Sequence, residues 1–174
     1  MEWVVEVNVR LMLESDIPQV IAIENYWDYL SKWGKEGYTK VLQNSYIYYS
    51  LVAETKYHSK FPSSVSDTKI IGLAVLAFLF DHGDLCNLVV SPQYLGKGIG
   101  QQLLSKCLEV AKQGYLNRIL LEVRHSNHRA VRFYQRNDFR ITANRKNYYS
   151  HPPEDAWVME RLILSPGCRD SGEV

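Results

Sequence analysis

The sequence predicts a mixed α/β fold in which helices flank one mixed sheet. Segments rich in β-branched and aromatic residues alternate with segments whose apolar residues recur at helical spacing, in the order β-α-α-β-β-β-α-β-α-β-β. With 174 residues, 46% of them hydrophobic and 22% charged, the chain can form about one folded core. No internal repeat or linker divides it. We therefore expect one domain over residues 1–164 and a polar tail over 165–174.

The first half of the chain predicts two strands and two helices. Residues 4–13 are β-rich and predict the first strand, whereas residues 17–25 repeat apolar side chains at helical spacing. A second helix is predicted over residues 35–43, and the β-branched and aromatic run over 46–54 predicts a strand. The polar stretch over 55–69 contains a proline and four serines. It predicts a long connection.

The second half continues the alternation with five strands and two helices. The predicted segments are, in chain order, strands at 70–80 and 85–90, a helix at 99–113, a strand at 119–123, a helix at 127–137, and strands at 139–145 and 157–164. Residues 81–84 predict the turn of a hairpin. Gly114 is expected to end the helix that precedes it. Cys86 and Cys107 are expected to be small core residues.

Charge and residue usage exclude several classes of protein. The net charge is +1 with no concentrated basic face, so we expect no direct nucleic-acid partner. No apolar run approaches the ~20 residues that cross a bilayer, and no secretory signal is visible, so we expect no membrane partner. The cysteines are odd in number and lack a Cys-x-x-Cys pair, which favours a reducing compartment, the cytoplasm. The five histidines show no metal-ligand spacing, and no metal is expected.

Three glycines at alternate positions, Gly96, Gly98 and Gly100, lie between a predicted strand and a predicted helix. Glycine allows the backbone to approach a ligand, and the free amides of the following helix make an anion site that a pyrophosphate would fit. A Walker-type loop is excluded because Lys97 is followed by glycine instead of Ser or Thr. The spacing also departs from the dinucleotide fingerprint. An ordinary strand-to-helix turn remains open.

The residues on either side of this turn make the predicted function more specific. The runs Leu88-Val89-Val90-Ser91-Pro92 and Tyr94-Leu95-Gly96-Lys97-Gly98-Ile99-Gly100-Gln101-Gln102-Leu103-Leu104 resemble the acetyl-CoA motif of the GNAT acetyltransferase superfamily. That motif is usually written Arg/Gln-x-x-Gly-x-Gly/Ala, and Leu95 departs from its first position. The resemblance implies that acetyl-CoA is the cosubstrate. It places the pantetheine arm on the main chain of Leu88, Val89 and Val90, and the pyrophosphate on Gly96, Lys97, Gly98, Ile99, Gly100 and Gln101.

A second group of motifs follows in order. The run Leu121-Glu122-Val123-Arg124-His125-Ser126-Asn127, a tyrosine seven residues after the asparagine, and Arg145-Lys146-Asn147-Tyr148-Tyr149 resemble the ribosomal-protein-alanine N-acetyltransferase branch of that superfamily. The likeness runs from about residue 84 to 164. It implies a mostly antiparallel seven-stranded sheet flanked by about four helices. A glycine is usual at Asp138, where a left-handed turn is tolerable for aspartate.

Two side chains are the candidate catalytic pair. An amine must lose its proton before it can attack a thioester, and Glu122, in an otherwise apolar strand, can take that proton. The resemblance implies that Tyr134 returns a proton to the CoA thiolate and that Asn127 contacts the cofactor. Simpler roles stay open: Glu122 could pair with Arg124 or Arg118, and Asn127 could cap its helix.

We therefore expect acetyl transfer from acetyl-CoA directly to the N-terminal α-amino group of a protein such as a ribosomal protein. A lysine side chain or small amine as acceptor, and a non-catalytic acyl-CoA-binding module, are the alternatives. Trp27, Tyr29 and Trp33 could line an acceptor groove, or simply pack. We expect a monomer or a weak homodimer.

Overall fold

The computed structural model describes residues 4–28, 30–58 and 68–163. The chain forms two compact units, the first made of Met1–Leu76 and Asn87–Cys107 and the second of Ala77–Cys86 and Leu108–Val174. The predicted tail over 165–174 lies outside the described residues. The single domain over 1–164 stays a prediction.

The described residues contain seven strands and four α-helices, which follow one another in the predicted order. They are β1 Val4–Leu11, α1 Ile17–Asn25, α2 Gly34–Gln43, β2 Tyr48–His58, β3 Thr68–Leu79, β4 His82–Val90, α3 Ile99–Gln113, β5 Arg118–Arg124, α4 His128–Gln135, β6 Arg140–Ser150 and β7 Pro153–Leu162. The strands form one sheet in the order β1-β2-β3-β4-β5-β7-β6. β4 and β5 run parallel, while β1–β2, β5–β7 and β6–β7 are antiparallel. The predicted mixed, mostly antiparallel sheet is confirmed.

The first unit packs α1 and α2 on the sheet. Its buried cluster draws on α1, α2, β2, β3 and β4, and includes Val20, Tyr38, Val52, Leu73 and Val89. Burying such side chains stabilises the fold by roughly 1.5–3 kcal/mol each. The apolar spacing that predicted α1 therefore corresponds to its buried face.

The long connection predicted over residues 55–69 is wrong at both ends. β2 continues to His58 because Val4–Leu11 pairs with it in register from His58 to Leu51. β3 already begins at Thr68. Backbone pairing with a neighbouring strand overrides the weak strand preference of these polar residues. Residues 59–67 lie outside the described part of the chain.

The hairpin between β3 and β4 is tighter than predicted. Phe80 and Asp81 make the turn, and Phe80 adopts a left-handed φ of 51°. Residues 82–84, which were predicted as turn, instead pair in parallel with residues 118–120 of β5. The strand that pairs with these residues lies 36 positions later in the chain. The residue types of the turn alone therefore could not predict that residues 82–84 belong to a strand.

Gly114 follows the last residue of α3, but its role there is close packing and not a left-handed turn. The left-handed residue is Tyr115, with a φ of 55°, and the amide of Leu116 donates to the carbonyl of Ala111. This is a Schellman-type ending. Gly114 is needed for another reason, because a Cβ there would lie 2.6 Å from the ring of Phe78. The prediction that Gly114 ends the helix is therefore wrong by one residue.

The predictions for Asp138 and for the two cysteines have different outcomes. Asp138 adopts the left-handed conformation, with a φ of 63°, as expected where the family has glycine. Cys86 is exposed on β4, so its predicted core position is wrong, whereas Cys107 is buried; both thiols are free. Cys86 lies at an exposed position of an otherwise largely buried strand. Residue type alone does not select the face of a strand.

Candidate active site

The glycine turn between β4 and α3 has the backbone geometry of an anion site. Gly96 and Gly98 have φ values of 77° and 80°, a region that side-chain-bearing residues rarely adopt. Nothing lies within 4 Å of a Cβ built on either residue. The glycines are therefore required by backbone conformation, and the exposed space beside them is open.

The turn leads directly into α3, a 15-residue helix that begins at Ile99. Its first amides have no partner within the helix, and its dipole favours a negative charge at this end. Lys97 is exposed in the turn, with its Nζ 5.0 Å from the centre of the Tyr94 ring. Open glycine backbone, helix amides and a nearby cation fit the pyrophosphate of acetyl-CoA.

The strand segment Leu88–Val90, proposed to contact the pantetheine arm, enters this turn through Ser91. The indole Nε1–H of Trp27 donates to the carbonyl of Val90 at 3.2 Å. That carbonyl therefore offers a ligand only its second lone pair. The amide of Ser91 donates to the carbonyl of Ile71 at 2.8 Å, which fixes the exit of β4.

Glu122 lies on β5, in the second unit. Ile119, Leu121 and Val123 on the same strand are buried, whereas the side chain of Glu122 is 27% exposed on the other face. Its Oε1 accepts a hydrogen bond from Nη1 of Arg145 at 2.7 Å. Partial burial favours the protonated form of a carboxylate, and a cationic partner favours the charged form, so such a group can both accept and release a proton.

Four influences set the pKa of Glu122. Burial raises it most, the positive charge of Arg145 lowers it, the negative charge of Asp84 raises it, and a backbone hydrogen bond lowers it. The net direction is upward from the ordinary value of a glutamate. Such a shift moves a carboxylate toward the strength that a general base needs near neutral pH.

The arginine partner that sequence reasoning suggested for Glu122 is wrong. Arg124 binds Glu154 at 3.1 Å, and Arg118 binds Glu160 at 3.2 Å. Arg145 comes from β6, 23 positions along the chain. One feature of the sequence could have indicated Arg145 as the partner, since this arginine is the first residue of the Arg-x-Asn-Tyr-Tyr motif. Asp84 was also missed, because only the parallel pairing of β4 with β5 places it opposite Leu120.

Asn127 is the N-cap of α4. Its Oδ1 accepts from the amide of Ala130 at 3.1 Å, so the capping interpretation is confirmed. The cap uses the amide oxygen of the side chain. The Nδ2 group is the donor that a cofactor contact would use, and the two roles are compatible.

Tyr134 lies on α4 and is 8% exposed. Its ring makes edge-to-face contacts with Phe133 and Phe139, at centroid distances of 5.2 and 5.5 Å. Packing therefore holds the ring in one place. The fixed ring is compatible with a purely structural core tyrosine. It is equally compatible with a proton donor whose hydroxyl must be held in one position.

The two groups of candidate residues fall in different units. Leu88–Val90 and Gly96–Gln101 belong to the first unit, and Glu122, Asn127 and Tyr134 belong to the second. No group of three or more possible metal ligands occurs among residues 4–28, 30–58 and 68–163. In the same part of the chain, none of the helices combines the length and apolar character needed to cross a membrane.

Comparisons with known proteins agree on one family. The model of the Acetyltransferase (GNAT) family matches residues 20–139. A Bacillus subtilis protein provisionally named as a ribosomal protein bS18-alanine N-acetyltransferase is 30% identical over 152 residues, which is 87% of this chain and 92% of that protein.

Solved structures share the fold. The ribosomal-protein-S18-alanine N-acetyltransferase of Escherichia coli aligns with a TM-score of 0.76 and 22% identity, over 96% of this chain and all of that one. YncA of Salmonella typhimurium, solved with its cofactor acetyl-CoA, aligns with a TM-score of 0.72 and 16% identity, over 95% of this chain and 99% of that one.

Proposed function

Because the chain belongs to the Acetyltransferase (GNAT) family, whose members use acetyl-CoA as cosubstrate, we propose that it acetylates the N-terminal α-amino group of a protein. It is an N-acetyltransferase. A ribosomal protein is the proposed acceptor, since the names of its Bacillus subtilis and Escherichia coli relatives specify the alanine of ribosomal protein bS18 or S18.

The observation that carries the chemistry is the environment of Glu122. An α-amino group has an ordinary pKa of about 7.7–8.0, so roughly a tenth of it is neutral at pH 7, against about one in 2,500 for a lysine at about 10.4. A carboxylate of moderately raised pKa suffices to remove the proton from an α-amine. The half-buried Glu122, with Arg145 beside it, supports that acceptor class.

Each candidate residue has one task in this proposal. Acetyl-CoA supplies an activated acetyl thioester. The turn over residues 96–101 holds its pyrophosphate, and main-chain amides around Val89 polarise the thioester carbonyl. Glu122 takes the amine proton, directly or through one water, and Tyr134 donates a proton to the departing thiolate. Fixing both reactants supplies much of the remaining rate enhancement. No acetyl group is bonded to the enzyme.

The proposed location is the cytoplasm. The free thiols of Cys86 and Cys107 support a reducing compartment. A ribosomal acceptor is consistent with the same compartment. We propose a monomer or a weak homodimer as the working form.

A peptide array tests the acceptor. It carries peptides with free N-termini, the same peptides with blocked N-termini, and peptides whose only free amine is an internal lysine. The expected result is acetyl-CoA-dependent labelling of the free N-termini alone. Labelling confined to lysines would overturn the acceptor assignment. Acetyl-CoA binding without transfer to any peptide or small amine would instead favour a non-catalytic module.

A further inference from the structure

Two aromatic side chains and one leucine are prominently exposed on the second unit. Phe80, in the turn between β3 and β4, is fully exposed, and Tyr115, which follows α3, is 86% exposed. These are the two most exposed large apolar side chains among residues 4–28, 30–58 and 68–163. Leu162, at the end of β7, is 65% exposed. We call these three residues the apolar patch, and the proposed acetyl transfer uses none of them.

Backbone hydrogen bonds hold the three segments of the apolar patch side by side. The amide of Asn117 donates to the carbonyl of Asp81 at 2.8 Å, and the amide of Ile163 donates to the carbonyl of Asn117 at 2.8 Å. β5 lies between β4 and β7 in the sheet. Because neighbouring strands are about 4.8 Å apart, the three segments span only about 10 Å at one end of these strands.

The backbone conformation of the two aromatic residues is unusual. Phe80 and Tyr115 have φ values of 51° and 55°, in the left-handed region that disfavours residues with a side chain. Turns of this kind usually have glycine, asparagine or aspartate at such a position. An exposed ring also contributes little apolar burial to its own fold. The stability of the chain therefore accounts for neither aromatic side chain, and such local strain is typical of functional surfaces.

The area of the patch suits a weak contact between two copies of the chain. Aromatic side chains bury about 150–250 Å² each, so the two rings offer about 300–500 Å², a size typical of interaction sites. Two copies that apply their patches to each other would bury about 600–1,000 Å² of aromatic surface, below the roughly 1,200–2,000 Å² of stable interfaces. The net charge of +1 gives little repulsion between copies.

The charges beside the two rings favour one arrangement of the copies. Asp81 follows Phe80 and keeps a 59% exposed side chain although it contacts His82 at 3.1 Å. Lys112 is exposed, its carbonyl accepts from the amide of Tyr115 at 3.2 Å, and it forms no ion pair with any described residue. In a two-fold interface each unlike contact occurs twice. Stacking Phe80 on Tyr115 of the other copy therefore brings opposite charges together twice, whereas stacking Phe80 on Phe80 would bring two aspartates together.

We propose that the apolar patch is the interface of a weak two-fold homodimer, in which Phe80 of each copy packs on Tyr115 of the other. This inference depends neither on the proposed acceptor nor on the chemistry of acetyl transfer. β5 begins at the patch, and the proposed base Glu122 lies about 13 Å further along that strand. We therefore expect acetyl transfer to be equal in the monomer and the dimer.

Sedimentation equilibrium over a range of protein concentrations tests the interface, with the wild-type chain and the double variant Phe80→Asn/Tyr115→Asn. Asparagine tolerates the left-handed conformation, so it removes the rings without adding strain. We expect a monomer–dimer equilibrium for the wild type, with a Kd in the high micromolar range, and a Kd at least about tenfold higher for the double variant. The melting temperature of dilute protein should not fall in the variant, whereas the loss of two structural side chains would lower it.

Tyr46→Asn is the matched control, because Tyr46 is a 78% exposed aromatic residue of the first unit. It should leave the Kd of the dimer unchanged. Charge reversal tests the arrangement of the copies: Asp81→Lys alone should raise the Kd by roughly tenfold, and Asp81→Lys with Lys112→Asp should restore it. A double reversal that associates no better than Asp81→Lys would overturn the stacking of Phe80 on Tyr115.

Two results would overturn the interface itself. They are a wild type that stays monomeric at every concentration, and a double asparagine variant that associates as tightly as the wild type. If the wild type is monomeric and a variant without residues 165–174 dimerises, that segment and not a second copy covers the patch. The double asparagine variant should acetylate a peptide as fast as the wild type does. A wild type that acetylates no peptide would overturn the proposed function and leave the dimer measurement valid.

Discussion

The glycine turn and the strand that carries Glu122 differ in which atoms they offer to a ligand. The turn offers main-chain amides, and its two left-handed glycines have open space around them. Glu122 offers a side chain whose charge depends on Arg145 and Asp84, which lie on two other strands. In our proposal the turn binds through local backbone conformation, and Glu122 acts through contacts between segments far apart in the chain.

The difference determines how each region should respond to mutation. A backbone site tolerates side-chain changes and fails when a residue that cannot adopt its φ is introduced. A side-chain site fails when its charge or hydroxyl is removed, even if the backbone is intact. The following changes separate the two kinds of site, from the largest expected effect to the smallest.

Glu122→Gln should lower kcat by about a hundredfold or more, because a general base contributes that much. Thiol release from acetyl-CoA measures the rate, and calorimetry should find CoA binding unchanged. Glu160→Gln is the control, since Glu160 is a similarly half-buried carboxylate paired with Arg118. Unchanged turnover of Glu122→Gln across pH would remove it as the base.

Tyr134→Phe should slow transfer by roughly ten- to a hundredfold, since the proposed proton donor is lost. The ring contacts with Phe133 and Phe139 remain, so thermal stability should change little. Tyr115→Phe, at an 86% exposed position, is the control. Equal rates for Tyr134→Phe and the wild type would leave only the packing role.

Gly98→Ala should weaken CoA binding by about tenfold, because a left-handed alanine costs roughly 1–2 kcal/mol and the free turn relaxes to another conformation. Calorimetry measures the affinity. Gly34→Ala introduces a similar strain at a φ of 62°, also with open space, but outside the turn. If both variants bind CoA as the wild type does, the turn does not bind the cofactor through its backbone.

In a plot of kcat/KM against pH, Arg145→Gln should move the fall in rate at acidic pH to higher pH by up to about one unit. Arg145 lowers the pKa of Glu122, so its removal lets that pKa rise. A base works only when deprotonated, and the loss of rate should therefore appear at low pH and vanish at high pH. Lys146→Gln, which removes the neighbouring cation paired with Asp155, should leave that fall at the same pH. A fall at the same pH in Arg145→Gln would exclude Glu122 as the titrating group.

Leu95→Arg should have the smallest effect. It restores the polar residue usual in the motif, and an exposed ion pair of at most about 1 kcal/mol would tighten CoA binding no more than about fivefold. Calorimetry under the same conditions measures it. A gain far above that would show that a side chain, and not the backbone, dominates binding at this turn.

The elements that could be predicted from the sequence are those specified by local pattern. The bounds of α1 and α3 follow from apolar spacing, and the left-handed turn at Asp138 follows from the motif. The extension of β2 to His58 and the tight turn at Phe80 could not be predicted, because strand partners far along the chain set them.

The same limit applies to the candidate site. Glycine spacing identified the turn, and the motif identified Glu122, but not the arginine that binds it. The pairing with Arg145 depends on the register of β6, β7 and β5. The apolar patch could not be predicted for the same reason, because no short motif spans Phe80, Tyr115 and Leu162.

The most direct test of the central claim is the position of the transferred acetyl group. A peptide with a free N-terminal alanine and one internal lysine is incubated with acetyl-CoA and either the wild-type chain or Glu122→Gln, and fragmentation mass spectrometry locates the added acetyl. The account predicts acetylation of the α-nitrogen by the wild type and very little by the variant. Acetylation of the lysine, or equal α-acetylation by both proteins, would contradict it.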